Sequence, residues 1–145
     1  MADFISKSKR RKIMSSIRSK DTKPELLVRR ELHKKGFRFR LHRKDLPGTP
    51  DLYLPRHKAV ILVNGCFWHS HENCIYSHIP ETRTKYWAEK LKKNKMRDVA
   101  NLEALKELHF RVAVLWECKV MGDSAHTITT LIRWTKSERH FISIG

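Results

Sequence analysis

A single α/β domain, with a mixed β-sheet flanked by helices, is what the sequence predicts, and three observations carry the prediction. The chain has 145 residues, enough for one hydrophobic core and too few for two generous ones. Two short apolar runs, Ala59 to Val63 and Val112 to Trp116, read as buried strands. Helical stretches lie before, between and after them, so strands and helices alternate along one domain.

The first dozen residues, rich in Lys, Arg and Ser, read as a basic arm, and Met14 and Ile17 suggest a short helix at its end. Residues 1–20 are accordingly separated from a domain spanning 21–145. Asp21-Thr22-Lys23-Pro24-Glu25 is a helix start, with a capping side chain, a proline in the first turn and an acid at the positive end of the dipole. That helix should run to about Lys35 and stop at Gly36, with Leu27, Val28 and Leu32 facing the core. Phe37, Phe39 and Leu41 alternate with Arg38, Arg40 and His42, the period of a half-exposed strand. Leu46-Pro47-Gly48-Thr49-Pro50 is a turn that delivers Asp51 to a short strand ending at Leu54. After the central strand comes a polar segment, Asn64 to Pro80. Thr84 to Leu108 is helical, with Trp87, Leu91, Val99, Leu102 and Leu105 at helical spacings and room for a break near Lys93-Asn94. Ser124 to Trp134 is a last helix.

The charge is the unusual feature: 31 Lys and Arg against 15 Asp and Glu give +16. So large an excess repels itself and calls for a polyanionic partner, nucleic acid first and an anionic membrane surface second. No run of 18 apolar residues is present, which argues against a membrane span. Residues 1–12 lack the apolar stretch of a secretory signal. Three cysteines cannot all pair within one chain, and with nine histidines they fit a reducing compartment and a metal better than a disulfide framework. A cytosolic protein is expected.

Cys66-x4-His71-x2-Cys74 supplies three borderline-soft ligands within nine residues, and Cys118 would complete a Cys3His tetrahedron. Spacing alone does not select the histidine, since His69 and His78 are close by. A zinc ion held by four protein ligands has no open position and is structural.

Thr49-Pro50-Asp51 entering a strand, followed by a second apolar strand, matches the first half of the PD-(D/E)XK nuclease pattern. The second half fails, because Leu62-Val63-Asn64 stands where an acid and a lysine belong. Phosphodiester hydrolysis still needs charge neutralisation, a nucleophile and a proton donor. Asp51 can anchor Mg²⁺, the backbone carbonyl of Val63 can add a ligand, and waters fill the rest. His69 can act as general acid or base, its ordinary pKa lying near neutrality. Glu25 could orient a metal-bound water.

Five blocks resemble the very short patch repair (Vsr) endonucleases. They are Asp21-Thr22-Lys23-Pro24-Glu25, Gly48-Thr49-Pro50-Asp51, Asn64-Gly65-Cys66-Phe67-Trp68-His69-Ser70-His71, Thr82-Arg83-Thr84 with Trp87, and Trp116-Glu117-Cys118. The resemblance implies a PD-(D/E)XK-like fold with a structural zinc site. It further implies a bacterial, cytoplasmic, Mg²⁺-dependent enzyme that nicks one strand 5′ to the thymine of a T·G mismatch, the product of 5-methylcytosine deamination. Asp51 then matches the metal-binding acid, His69 the general acid/base and Glu25 the supporting acid. Cys66, His71, Cys74 and Cys118 match the zinc ligands. Phe67, Trp68 and Trp87 match aromatics that enter the base stack from the major groove, and Met14, with Ile17, an element entering from the minor-groove side. Such wedges suit a wobble pair, whose shape differs little from a normal pair but whose unstacking costs less. Lysines and arginines such as Arg38, Arg40, Lys90, Lys92, Lys93 and Lys95 would meet phosphates or simply be solvated.

Two departures stand out. Asn64 occupies a position where some members carry a second catalytic histidine, and Val63 replaces a threonine. The loop between His71 and Cys74 is also one residue longer. A nuclease of related fold with another DNA target, or a non-catalytic zinc-stabilised DNA-binding module, are the rival readings. A monomer is expected, with accessory mismatch-repair proteins as potential partners.

Overall fold

The computed structural model describes residues 21–145, so the basic arm, including Met14 and Ile17, lies outside the described residues. Helix α1, Lys23–Lys34, starts as its sequence requires: Thr22 Oγ1 accepts from the Glu25 N–H, and Pro24 fills the first turn. Its end is closed by Gly36 at φ 89° and by the Phe37 N–H reaching back to the Leu32 carbonyl.

Five strands follow in spatial order β1-β2-β3-β4-β5: Arg40–Leu41, Leu52–Leu54, Ala59–Asn64, Arg111–Trp116 and Phe141–Ile144. The first three pair antiparallel and the last three parallel, which makes the sheet mixed. Between β3 and β4 runs α2, Thr84–Glu107; between β4 and β5 run α3, Glu117–Gly122, and α4, Ser124–Thr135.

The pleat sorts the apolar strands onto two faces. Ala59, Ile61, Ala113 and Leu115 join Val28 and Leu32 of α1, Val120 of α3 and Leu131 and Trp134 of α4 in one buried cluster. Val60, Val112 and Val114 form the other with Leu105 of α2, and Leu102 packs against it. Both faces are covered, which explains why these strands read as continuous apolar runs rather than as alternations.

Several expectations are corrected. The alternating segment from Phe37 yields only a two-residue strand, because Phe37 and Phe39 turn into the core beside α1 before the ladder begins. Strand β5 and helix α3 were not expected: Phe141–Ile144 is short and its register comes only from β4. Helix α2 is unbroken through Asn94. Val99 is exposed, roughly a quarter turn off the Leu91–Leu105 face. Among the described residues no helix is long and apolar enough to cross a membrane.

Candidate active site and metal centre

Two constellations form where β3 ends, one on each side of it, and the strand pairings explain both. The parallel register sets Asn64 beside Trp116, so the chain leaves β3 and β4 side by side. Two residues further on each, Cys66 and Cys118 meet, with the Cys118 N–H donating to Cys66 Sγ at 3.4 Å. The loop after β3 folds back through a His71 N–H to Cys66 carbonyl bond of 2.9 Å. One ligand atom from each of Cys66, His71, Cys74 and Cys118 lies within 4.8 Å of the other three. Cys118 Sγ and His71 Nδ1 are 3.5 Å apart, and the His71 ring stacks on Trp116 at 4.1 Å. Three sulfurs and one imidazole at this spacing are a donor set for a soft or borderline cation. Without a cation the arrangement is costly to ionise: burial pushes the Cys66 thiol up to about 12 and raises Cys118 as well. Of the other two histidines, His78 is exposed and its Nδ1 lies 2.9 Å from the Ile75 carbonyl oxygen. His69 faces the other constellation.

That second constellation lines a cleft of about 1270 Å³ formed by the start of α1, the β1–β2 turn, the end of β3 and one face of α2. Antiparallel pairing of Leu52 with Ile61 carries Asp51 alongside the end of β3, where its Oδ2 accepts from the Val63 N–H at 2.7 Å. Gly48 at φ 77° and Thr49 at φ 44° make the turn that brings Asp51 there. A side chain at Gly48 would be strained and would crowd Asn101 of α2, whose Cβ lies 3.2 Å from the position a Cβ would take. Burial pushes the Asp51 carboxyl up to about 7; the Val63 N–H opposes this, and the Glu25 carboxylate adds to it.

Glu25 is 2 % exposed and is held from several directions. Its Oε2 accepts from the Asp21 N–H at 3.0 Å and from Arg29 at 3.1 Å, and lies 3.2 Å from His42 Nε2. Arg29 also bonds Asp21 Oδ1 at 2.6 Å. Asp21, Glu25 and His42 thus form a tight carboxylate–imidazole group under the cleft wall.

Across from Asp51, His69 Nδ1 lies 2.6 Å from Asp98 Oδ2 of α2. A carboxylate facing Nδ1 accepts from it, so in the neutral form of the ring Nδ1 carries the proton and Nε2 is the free acceptor. Asn64 and Val63 line the same cleft, as do Phe67 and Trp68. Phe67, Trp68 and Trp87 form an aromatic group with ring centroids 5.1 to 5.8 Å apart. Among the described residues none of the three belongs to either core cluster.

The structure therefore gathers Glu25, Asp51, Val63, Asn64, Phe67, Trp68 and His69 at one cleft, and the four metal-type ligands beside it. Residues the sequence reading missed are Asp98, Arg29, His42, Asn94, Arg97 and Asn101. A signal for some of them exists: Asn94, Asp98 and Asn101 lie on the face of α2 that also carries Leu91 and Leu105. Polar residues on an inward face mark a stretch that overhangs a cleft rather than the core.

Comparison with known proteins agrees with this geometry. Residues 2–75 match the family described as DNA mismatch endonuclease Vsr. A type II nicking enzyme, V.XorIIP of Xanthomonas oryzae pv. oryzae, is 48% identical over 120 residues, covering 83% of this chain and 88% of that protein. The type II nicking enzyme V.NmeAIP of Neisseria meningitidis is 44% identical, covering 83% and 85%. The DNA mismatch endonuclease Vsr of Escherichia coli K12 is 40% identical over 122 residues, covering 84% and 78%. With the family match spanning half of the chain and these relatives most of it, the chain belongs to the DNA mismatch endonuclease Vsr family and is a DNA endonuclease of that type.

Proposed function

We propose that this endonuclease nicks one strand of DNA 5′ to the thymine of a T·G mismatch, with Mg²⁺ in the cleft and Zn²⁺ as a structural ion. The observation that carries the reading is a cleft holding the buried Glu25 and half-buried Asp51 carboxyls on one side, a carboxylate-oriented histidine on the other, and an aromatic group outside the core at its rim. The E. coli relative is named a mismatch endonuclease and two others nicking enzymes, which supports the substrate and the single-strand cut.

Hard oxygen donors at Asp51, with its carboxyl raised by burial and by Glu25, suit a divalent cation that would restore its charge. Asp51 and the Val63 carbonyl would hold Mg²⁺, with Glu25 orienting its water. Bound there, the ion supplies charge neutralisation and a more acidic water. His69, held by Asp98, moves the proton through Nε2. One water oxygen bonds to phosphorus, one ester P–O bond breaks, and the departing oxygen takes a proton. Asn64 cannot transfer a proton at neutral pH, so it contributes a hydrogen bond and leaves the proton work to His69 and water. Phe67, Trp68 and Trp87 wedge into the base stack, most cheaply at a mismatch. Met14 and Ile17 would enter from the minor-groove side. Cys66, His71, Cys74 and Cys118 hold the zinc and pin the wedge loop to the sheet. The enzyme acts as a cytoplasmic monomer, with accessory mismatch-repair proteins as candidate partners.

Asp98→Asn should slow single-turnover nicking by about 100-fold, the scale of a mispositioned general acid/base, with DNA affinity little changed. An unchanged rate would remove the His69–Asp98 pair from the chemistry. The function itself is tested with a T·G duplex labelled differently on each strand. A cut at the linkage 5′ to the thymine, in that strand only and only with Mg²⁺, is expected. Cuts in both strands would favour a nuclease with another target.

A further inference from the structure

We infer that Arg97 grips the phosphate of the strand being cut and supplies the positive charge that β3 lacks; the inference rests on the strand-nicking reading above. In the nuclease pattern a lysine belongs at the end of the second strand, yet this chain has Val63 and Asn64 there. The phosphate is an anion entering a cleft that already carries Glu25, Asp51 and Glu117, so the missing charge must come from elsewhere. Among the described residues only Lys44 and Arg97 bring a lysine or arginine to the cleft lining.

The two differ in how they are held. Both are exposed, but Lys44 sits on the β1–β2 turn and makes no hydrogen bond or ion pair among the described residues. Arg97 stands on the 24-residue helix α2, one residue before the Asp98 that holds His69. Its NH2 group donates to Asn94 Oδ1, and Asn94 Nδ2 in turn donates to the Trp68 carbonyl at 3.3 Å. The guanidinium is thereby tied to the aromatic block that marks where the base stack enters. No carboxylate among the described residues pairs with Arg97, so its charge is uncommitted. A planar guanidinium with further N–H groups free matches two phosphate oxygens, which a lysine ammonium does not.

The test uses full-length protein and two T·G duplexes, one natural and one with an uncharged methylphosphonate at the linkage 5′ to the thymine. Affinity is measured without Mg²⁺, and nicking rate with Mg²⁺ on the natural duplex. Arg97→Ala should slow nicking about 100-fold and flatten the salt dependence of binding by about one counterion. Arg97→Lys should recover part of the rate. Wild type and Lys44→Ala, which removes an equal charge from the facing lip, should both lose affinity on the methylphosphonate duplex. Arg97→Ala should show no further loss there, because its phosphate partner is already gone. An Arg97→Ala protein that nicks at the wild-type rate, or that loses as much affinity on the methylphosphonate duplex as wild type does, overturns the inference. Failure of wild type to nick at all would instead remove the nicking reading, while the affinity comparison would still decide the phosphate contact.

Discussion

Asp51→Asn is expected to abolish strand cleavage, by at least about 1000-fold, while making the protein more stable. Asparagine keeps the volume and can still accept the Val63 N–H through its oxygen, so the end of β3 need not move. What it loses is the charge that would hold a divalent ion. The stability gain follows from the raised carboxyl, displaced from 3.8 to about 7 by burial and the nearby Glu25. Such a group binds its proton more tightly folded than unfolded, so wild-type stability falls as pH rises through that interval. An uncharged asparagine escapes the loss. In buffer free of Mg²⁺ the variant should therefore melt above wild type at pH 8, with the gap closing towards pH 4. Melting curves at several pH values, read beside a nicking assay, check both halves. A variant that still cuts removes Asp51 from the chemistry; one that melts lower at pH 8 contradicts the buried, proton-retaining carboxyl.

Removing the metal from the Cys66–His71–Cys74–Cys118 cluster is expected to unfold the ends of β3 and β4. Cys66 is fully buried, and without a cation three sulfurs and an imidazole crowd within 4.8 Å. Structural zinc binding is worth on the order of 10 kcal/mol, comparable to the whole net stability of a small domain. Purified protein should contain one zinc per chain. Chelation, or Cys66→Ala, should lower the melting temperature steeply and abolish nicking, because the same loop carries Phe67, Trp68 and His69. Histidine variants separate the ligand from its neighbours: His71→Ala should lose the zinc, whereas His69→Ala and His78→Ala should retain it. Metal-free protein with an unchanged melting temperature would show that the cluster is not a structural site.

How much of this could be read from the chain differs by element. The buried strands β3 and β4 and helix α1 were legible because each follows a local rule: an apolar run, or a cap with a proline and a closing glycine. Cys66, Cys74 and Asp51 were legible as residue types in short motifs, whereas His71 was set apart from His69 and His78 only by the family resemblance. Strand β5 was not, because its four residues gain their conformation from pairing with β4, a contact between distant parts of the chain. Asp98 escaped for the same reason, since nothing local shows that α2 brings it to His69, 29 residues away. The sequence also allowed a break near Lys93-Asn94, where polar residues interrupt the apolar spacing of the helix. The helix is continuous, and the polarity belongs to the cleft. Nor does anything local mark Arg29, whose side chain is 14% exposed and paired with Asp21 and Glu25.

Mismatch recognition is tested most directly in one reaction containing equal amounts of a T·G duplex pool and a fully paired pool, both with randomised bases around the central pair, started with Mg²⁺. Only the T·G pool is expected to acquire a nick, in the thymine strand and 5′ to that thymine, with the cut molecules reporting the preferred flanking bases. Equal cutting of the two pools, or cutting confined to paired duplexes of one sequence, would contradict mismatch recognition as the function of this cleft.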